Sequence, residues 1–261
     1  MTASEFRAQA RKALAGKWGK VALTTLIYAI LIIVLEFVLA LIPVVGPIIL
    51  TVITLPLSYG MIVTYVKIKN GEETTYTEFF TNGFNSFARA WKTSLWIFVK
   101  LLVPFLLVVV AYILVFVGAG MSLYSAMTVT SDSISPTGSI ISIIGTVLLV
   151  IAMVYMTVKY FLYALSYFVL NDRQDLLPKQ AVEESARLMQ GHRGQFFWLC
   201  LSFIGWMILS VIAFGLGYLW VLPYIVITQA IFYEYLAGKK QNEPEIEIND
   251  DNNGDAIKEN F

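Results

Sequence analysis

The stretch F-F-W-L-C-L-S-F-I-G-W-M-I-L-S-V-I-A-F-G-L-G-Y-L-W-V-L-P-Y-I-V-I-T-Q-A-I-F-Y-E-Y-L, residues 196–236, decides the fold. Its one charged side chain is Glu234. A helix rises 1.5 Å per residue and crosses a hydrocarbon layer of about 30 Å in about 20 residues, so this run is two crossings long. It must fold back near Gly215 and Gly217, with almost no loop. Four more apolar stretches of similar length precede it, at residues 21–42, 48–66, 95–117 and 140–162. With 196–214 and 216–236 they make six transmembrane helices paired as three hairpins, an all-α polytopic membrane fold.

Composition agrees. Of 261 residues, 58% are hydrophobic and 14% charged, with a mean hydropathy of +0.72. Soluble domains sit near 45–50% apolar and about 25% charged, so that class is excluded. The lone Cys200 excludes an internal disulfide framework and a thiolate-rich metal site. The first apolar stretch is longer than the core of a cleaved signal peptide, so it reads as a retained span.

Eighteen basic and eighteen acidic residues cancel, and their placement carries the information. Arg7, Arg11, Lys12, Lys17 and Lys20 precede the first span, and Lys67, Lys69, Arg89 and Lys92 separate the second from the third. Arg173, Lys179, Arg187 and Arg193 lie between the fourth and fifth, and Lys239, Lys240 and Lys258 follow the last. Connections 43–47, 118–138 and the turn at Gly215 hold no Lys or Arg. The positive-inside rule therefore places both termini in the cytoplasm, which a reporter fused at Asp132 would check.

Each outward-going span has a lead-in of helical periodicity. In the first, Phe6, Ala10, Ala13, Leu14 and Trp18 oppose Arg7, Arg11, Lys12 and Lys17, with Thr2 and Glu5 spaced as a capping box. In the second, Thr75 and Glu78 repeat that spacing, and Phe80, Phe84, Phe87 and Trp91 form the stripe, with Asn82 and Gly83 as a point of interruption. In the third, Pro178 opens a helix whose Ala181, Val182, Ser185, Leu188, Met189 and His192 share a face. The expectation is three interfacial helices on the inner leaflet. There Arg7, Arg11, Lys12, Lys17, Arg89, Lys92, Arg187 and Arg193 would contact anionic headgroups at about 1 kcal/mol each.

The outer thirds also match. Leu14, Gly16 and Gly19 recur as Met189, Gly191 and Gly194, while Leu55, Pro56 and Gly71 recur as Leu222, Pro223 and Gly238. The chain reads as three copies of one unit, at about 1–71, 75–172 and 176–238, within a membrane domain of residues 1–240. They are parallel repeats, unlike the inverted ones of many transporters. Residues 241–261 are rich in Asp, Glu and Asn and read as a disordered acidic cytoplasmic tail. The tail fails the spacing of a calcium loop.

Among candidate functional groups, Glu36 lies about 22 Å along the first span, in the outer half of the bilayer. It reads either as a protonatable group lining a cavity or as a carboxyl bonded to a Thr or Tyr of a neighbouring helix. Lys100 and Lys159 fall within apolar stretches and are expected to snorkel toward headgroups. Glu234, between Tyr233 and Tyr235, reads as part of an interfacial aromatic belt. Pro56, Pro104 and Pro223 lie inside spans and imply kinks, whose freed carbonyls could also line an ion path. Enzyme motifs fail: the single His192 excludes a two-histidine zinc helix, and there is no nucleophile elbow or P-loop. No metal, cofactor or nucleic acid is expected.

The segments S-A-R-L-M-Q-G-H (185–192), L-S-F-I-G-W (201–206), L-W-V-L-P-Y (219–224) and F-Y-E (232–234), with A-R-K-A-L-A-G-K-W-G (10–19), carry a resemblance. Together they resemble a bacterial integral-membrane family, common in Gram-positive organisms and known only as domain of unknown function 975. The resemblance covers nearly everything before the acidic tail. It implies a multi-pass protein of the bacterial cytoplasmic membrane and supplies no catalytic residue. Two functions fit: a non-catalytic accessory, envelope or antimicrobial-peptide defence, or lipid-interacting protein; or a small-molecule or ion transporter with a proton-linked Glu36. Transport of a charged solute needs several convergent polar groups at the midplane, and only Glu36 answers to that. A membrane enzyme is the weakest of the three classes.

Overall fold

A computed structural model describes residues 1–128 and 136–239; Asp132 and the 241–261 tail lie outside them. Within the described residues the regular structure is helical: α1 (Ala3–Leu14), α2 (Trp18–Ala40), α3 (Val45–Asn70), α4 (Glu78–Asn85), α5 (Phe87–Thr128), α6 (Pro136–Tyr163), α7 (Ser166–Asp172), α8 (Pro178–Leu188), α9 (Arg193–Leu201), α10 (Ile204–Ile212) and α11 (Tyr218–Leu236). Six stretches are long and apolar enough to cross a membrane: Trp18–Ala40, Val45–Asn70, Phe87–Met127, Thr137–Asp172, Arg193–Ile212 and Tyr218–Leu236. This is a membrane protein. Its outer apolar surface, including Ile33, Phe37, Val103, Phe116, Ile143 and Val211, is exposed along these helices, as a lipid-facing surface must be.

Local rules explain several ends. The capping box at α1 forms, Glu5 N–H donating to Thr2 Oγ1 at 3.3 Å and Thr2 N–H to Glu5 Oε2 at 3.0 Å. Pro178 stands in the first turn of α8, where its missing N–H costs nothing. The fold-back at residues 213–217 is the tight turn its length required, with Phe214 at φ 52° and Gly215 at φ 83°.

Other boundaries differ from expectation. Thr75 and Glu78 form no capping box: α4 starts at Glu78 behind Thr77, which makes no side-chain cap, and the Glu78 carboxylate goes to Lys67 Nζ at 2.6 Å. The second lead-in breaks at Ser86, not at Asn82 and Gly83, so Phe87 and Trp91 already belong to α5. Its buried face is Phe79 and Gly83, while Phe80 and Phe84 are exposed and pack ring to ring at 4.6 Å. The reason is backbone contact. A Cβ on Gly60 of α3 would collide with Phe79 O and the Gly83 backbone, and one on Gly83 would lie 2.5 Å from Pro56 O, so α4 turns its small side to α3. Connection 118–138 is helical through Thr128 and again from Pro136. Gly118, Gly138 and Gly145 let α5 and α6 approach backbone to backbone, which extends that hairpin. The fourth stretch bends at 164–165 into α7, and the fifth divides at Ser202 and Phe203 into α9 and α10.

The packing is cyclic. α4 rests on α3, α8 on α7 and α6, and α1 on α11. α3, α7 and α11 also meet one another, and the core gathers around them: Leu57, Tyr65, Leu165, Val169, Ile227 and Phe232. Positions that align between α1 and α8 are buried alike: Phe6 with Ala181, Ala10 with Ser185, Leu14 with Met189. Gly16 and Gly191 both take positive φ, at 74° and 82°, as do Gly71 and Gly238, at 83° and 68°. Hydroxyl pairs recur too, Thr25 with Tyr65 at 2.7 Å and Ser94 with Tyr167 at 2.6 Å.

Candidate functional site

The polar groups concentrate where the lead-in helices ring the core. α1 directs Phe6, Ala10 and Leu14 into protein, with Phe6 edge-on to Phe232 at 5.2 Å and to Tyr235 at 5.4 Å. Its apolar face is therefore taken up by α11. What remains outward is basic: Arg11 and Lys12 are exposed, and Arg7, Lys17 and Lys20 half-buried. The one acidic residue of this segment, Glu5, is held in its cap.

The eight residues expected at headgroups divide into three groups. Four are tied to main-chain or hydroxyl oxygens. Arg7 Nη1 donates to Ser202 O at 3.3 Å, where the break between α9 and α10 frees a carbonyl, and Arg11 Nη1 donates to Tyr224 OH at 2.9 Å. Lys17 Nζ caps the C-terminus of α3 through Ile68 O and Lys69 O, at 2.9 and 3.2 Å, and Arg89 Nη2 donates to Leu176 O at 3.2 Å. Arg187 forks onto Glu184 at 2.8 and 2.6 Å. Those two bonds hold the Glu184 carboxyl below its ordinary range. Lys12 and Lys92 stand exposed without an acidic partner among the described residues, and Arg193 is half-buried with its Nε unpaired.

Lys100 and Lys159 do not stand alone. Lys100 Nζ lies 4.0 Å from Glu183 of α8, beside a Lys179 that sits 5.3 Å over the Trp96 ring, while Lys159 Nζ lies 5.6 Å over the Tyr155 ring. α8 carries Lys179, Glu183, Glu184 and Arg187 on its open side, so α5 as far as Lys100 runs beside a charged helix. Glu234 has a partner that its aromatic neighbours do not suggest. It pairs with Lys69, whose side chain is 10% exposed, at the convergence of α3 and α11. Next to it Tyr233 OH donates to Asp172 Oδ2 at 2.7 Å, and Lys239 pairs with the same carboxylate. Sequence reasoning missed these partners. The hint was that Lys69, Asp172 and Glu234 all fall at the ends of second spans.

Glu36 is exposed on α2 between Ile33 and Phe37, and among the described residues it has neither a hydrogen bond nor an ion pair. No Thr or Tyr hydroxyl is bonded to its carboxyl among the described residues. Pro56, Pro104 and Pro223 do lie inside α3, α5 and α11. At Pro56 the freed acceptor is Val52 O, one turn earlier, and Trp91 Nε1 donates to it at 2.9 Å. His192 Nδ1 lies 3.3 Å from Gln195 Oε1. Among the described residues no cluster of three His, Cys, Asp or Glu is placed to hold a metal.

A family model described as Protein of unknown function (DUF975) matches residues 1–240, and the chain belongs to that family. No curated protein and no solved structure matches it.

Proposed function

We propose that this DUF975 protein is a non-catalytic component of the bacterial cytoplasmic membrane, with both termini in the cytoplasm, that works by binding anionic lipid headgroups of the inner leaflet. The observation that carries the reading is α1. Its apolar face is spent on α11, yet Arg11 and Lys12 stay exposed, and the segment's one acid is committed to a cap. A cationic surface with no internal counter-ion, at the base of apolar helices, suits phosphate-bearing headgroups, worth about 1 kcal/mol per cation.

The chain is best read as three copies of one lead-in and hairpin unit. Supporting this, each lead-in rests on the second helix of the unit before it, and α1 closes the ring on α11. The test is native mass spectrometry from nanodiscs containing equal phosphatidylglycerol and phosphatidylcholine. Retained phosphatidylglycerol is expected for the wild type and a several-fold loss for Arg11→Gln/Lys12→Gln. Equal retention of both lipids by the wild type would end the proposal.

A further inference from the structure

Charge is shared unevenly among the three lead-ins and the tail. Residues 1–20 carry five bases against one acid, and that acid, Glu5, is held in its cap. Residues 67–92 and 173–193 each carry four bases against three acids. On α8 the charges face one another, Lys179 beside Glu183 and Arg187 forked onto Glu184. The helices therefore leave α1 as the lead-in with a cationic excess. The opposite charge lies in the sequence beyond them: E-P-E-I-E-I-N-D-D-N-N-G-D-A-I-K-E, residues 243–259, holds seven of the chain's eighteen acids and one base.

The described chain also stops beside the basic helix. In the last turn of α11, Tyr235 packs on Phe6 of α1 at 5.4 Å, Glu234 pairs with Lys69 of α3, and Tyr233 OH donates to Asp172 of α7 at 2.7 Å. Lys239 N–H then donates to Glu234 O at 3.0 Å, with Gly238 at φ 68°, which turns the chain off the helix. From Phe6 to Arg11 and Lys12 is about 8 and 9 Å along α1. An extended residue adds up to about 3.5 Å, so Glu243 and Glu247, four and eight residues past Lys239, reach up to about 14 and 28 Å. A segment tethered so closely meets α1 at an effective concentration on the order of mM. Lys92, also exposed without an acidic partner among the described residues, is a single charge on α5, which packs chiefly on α6 and α8.

We propose that the acidic segment 243–259 docks on the outward face of α1, at Arg11 and Lys12, and that anionic headgroups must displace it to bind there. The competition rests on the lipid-binding reading; the docking does not. The tail is then a tethered counter-ion. It covers the α1 cations where the membrane is poor in anionic lipid and leaves them where anionic lipid is abundant.

The test is carbodiimide coupling, which joins a lysine to a carboxylate in direct contact, on the full chain in nanodiscs of phosphatidylcholine alone and of equal phosphatidylglycerol and phosphatidylcholine. In phosphatidylcholine, peptides linking Lys12 to carboxylates of 243–259 are expected to exceed those linking Lys92 or Lys179 several-fold, and phosphatidylglycerol is expected to cut them several-fold. No link at Lys12, or equal linking of the three lysines, overturns the docking. Glu243→Gln, Glu245→Gln, Glu247→Gln, Asp250→Asn and Asp251→Asn together should raise the phosphatidylglycerol retained in native mass spectrometry. Unchanged retention, or Lys12 links that phosphatidylglycerol leaves intact, overturns the competition. The two proposals fail separately. A wild type that holds both lipids equally yet links Lys12 to the tail loses lipid binding and keeps the docked tail. Selective retention of phosphatidylglycerol without a Lys12 link in phosphatidylcholine loses the tail and keeps lipid binding.

Discussion

The indole N–H of Trp91, at the start of α5, donates to the main-chain oxygen of Val52 in α3 at 2.9 Å. Pro56 has no N–H to offer that oxygen, so the kink in one helix is completed by a side chain of another. An acceptor left unpaired in an apolar setting costs about 1–3 kcal/mol, and Trp91→Phe is expected to destabilise by that amount. In a Pro56→Ala background the helix regains its own donor, so the same change should cost less. Thermal unfolding of the four proteins in one nanodisc gives the coupling, and no coupling would show that the two residues act independently.

Gly60→Ala pushes a methyl into Phe79 O and the Gly83 backbone, so α4 must move off α3. A loss of about 1–3 kcal/mol is expected, as for an overpacked core. Gly205→Ala, which meets nothing within 4 Å, is the control and should leave the unfolding temperature unchanged.

Lys69 and Glu234 join α3 to α11, with side chains 10% and 27% exposed. Lys69→Met strands a mostly buried carboxylate and should cost about 3 kcal/mol, whereas Lys69→Met with Glu234→Leu should recover most of it. If the double variant is no more stable than the single one, the pair is not what holds these helices together.

The forked bond from Arg187 lowers the Glu184 titration. A carboxyl whose folded pKa is depressed adds stability above its unfolded pKa and loses it as pH falls through the folded one. The wild type and Glu184→Gln should therefore differ by a constant, small amount at neutral pH and converge only below the ordinary carboxylate value of 4.5. Convergence already near neutrality would contradict the bond.

Glu36 is exposed among apolar neighbours. Glu36→Leu is expected to keep or raise the unfolding temperature in nanodiscs, since it removes a polar group from an apolar surface. A clear drop would reveal a contact that the carboxyl makes in the membrane.

The spans, the fold-back at 213–217, the α1 cap and the α8 start were legible in the sequence, because each depends on residues close together in the chain. The breaks at Ser86 and Ser202, and the bend before α7, were not. Nothing at Ser86 resembles a helix terminator; the break follows from seating Phe79 and Gly83 on α3. The Phe80 and Phe84 stripe misled for a related reason, since periodicity finds an apolar face without saying whether protein or lipid covers it. Thr75, three residues before it, offers Glu78 a cap, but Lys67 competes for the same carboxylate from another helix. A count of basic residues says which connections are cationic and nothing of what each side chain binds. Two of their ends, on Ser202 O and Ile68 O, depend on where distant helices stop, and a third, on Tyr224 OH, on how α11 packs against α1.

Ring closure also sets a timetable. α1 leaves the ribosome first, yet the surface that receives Phe6 belongs to α11, the last helix of the membrane domain. Until Phe232 is synthesised, Phe6 lacks the rings it packs against and must wait on lipid or on the insertion machinery. Nascent chains cut short before α11 should thus expose α1 to protease, while chains carrying it should protect α1. Completion of the last helix is what shelters the first.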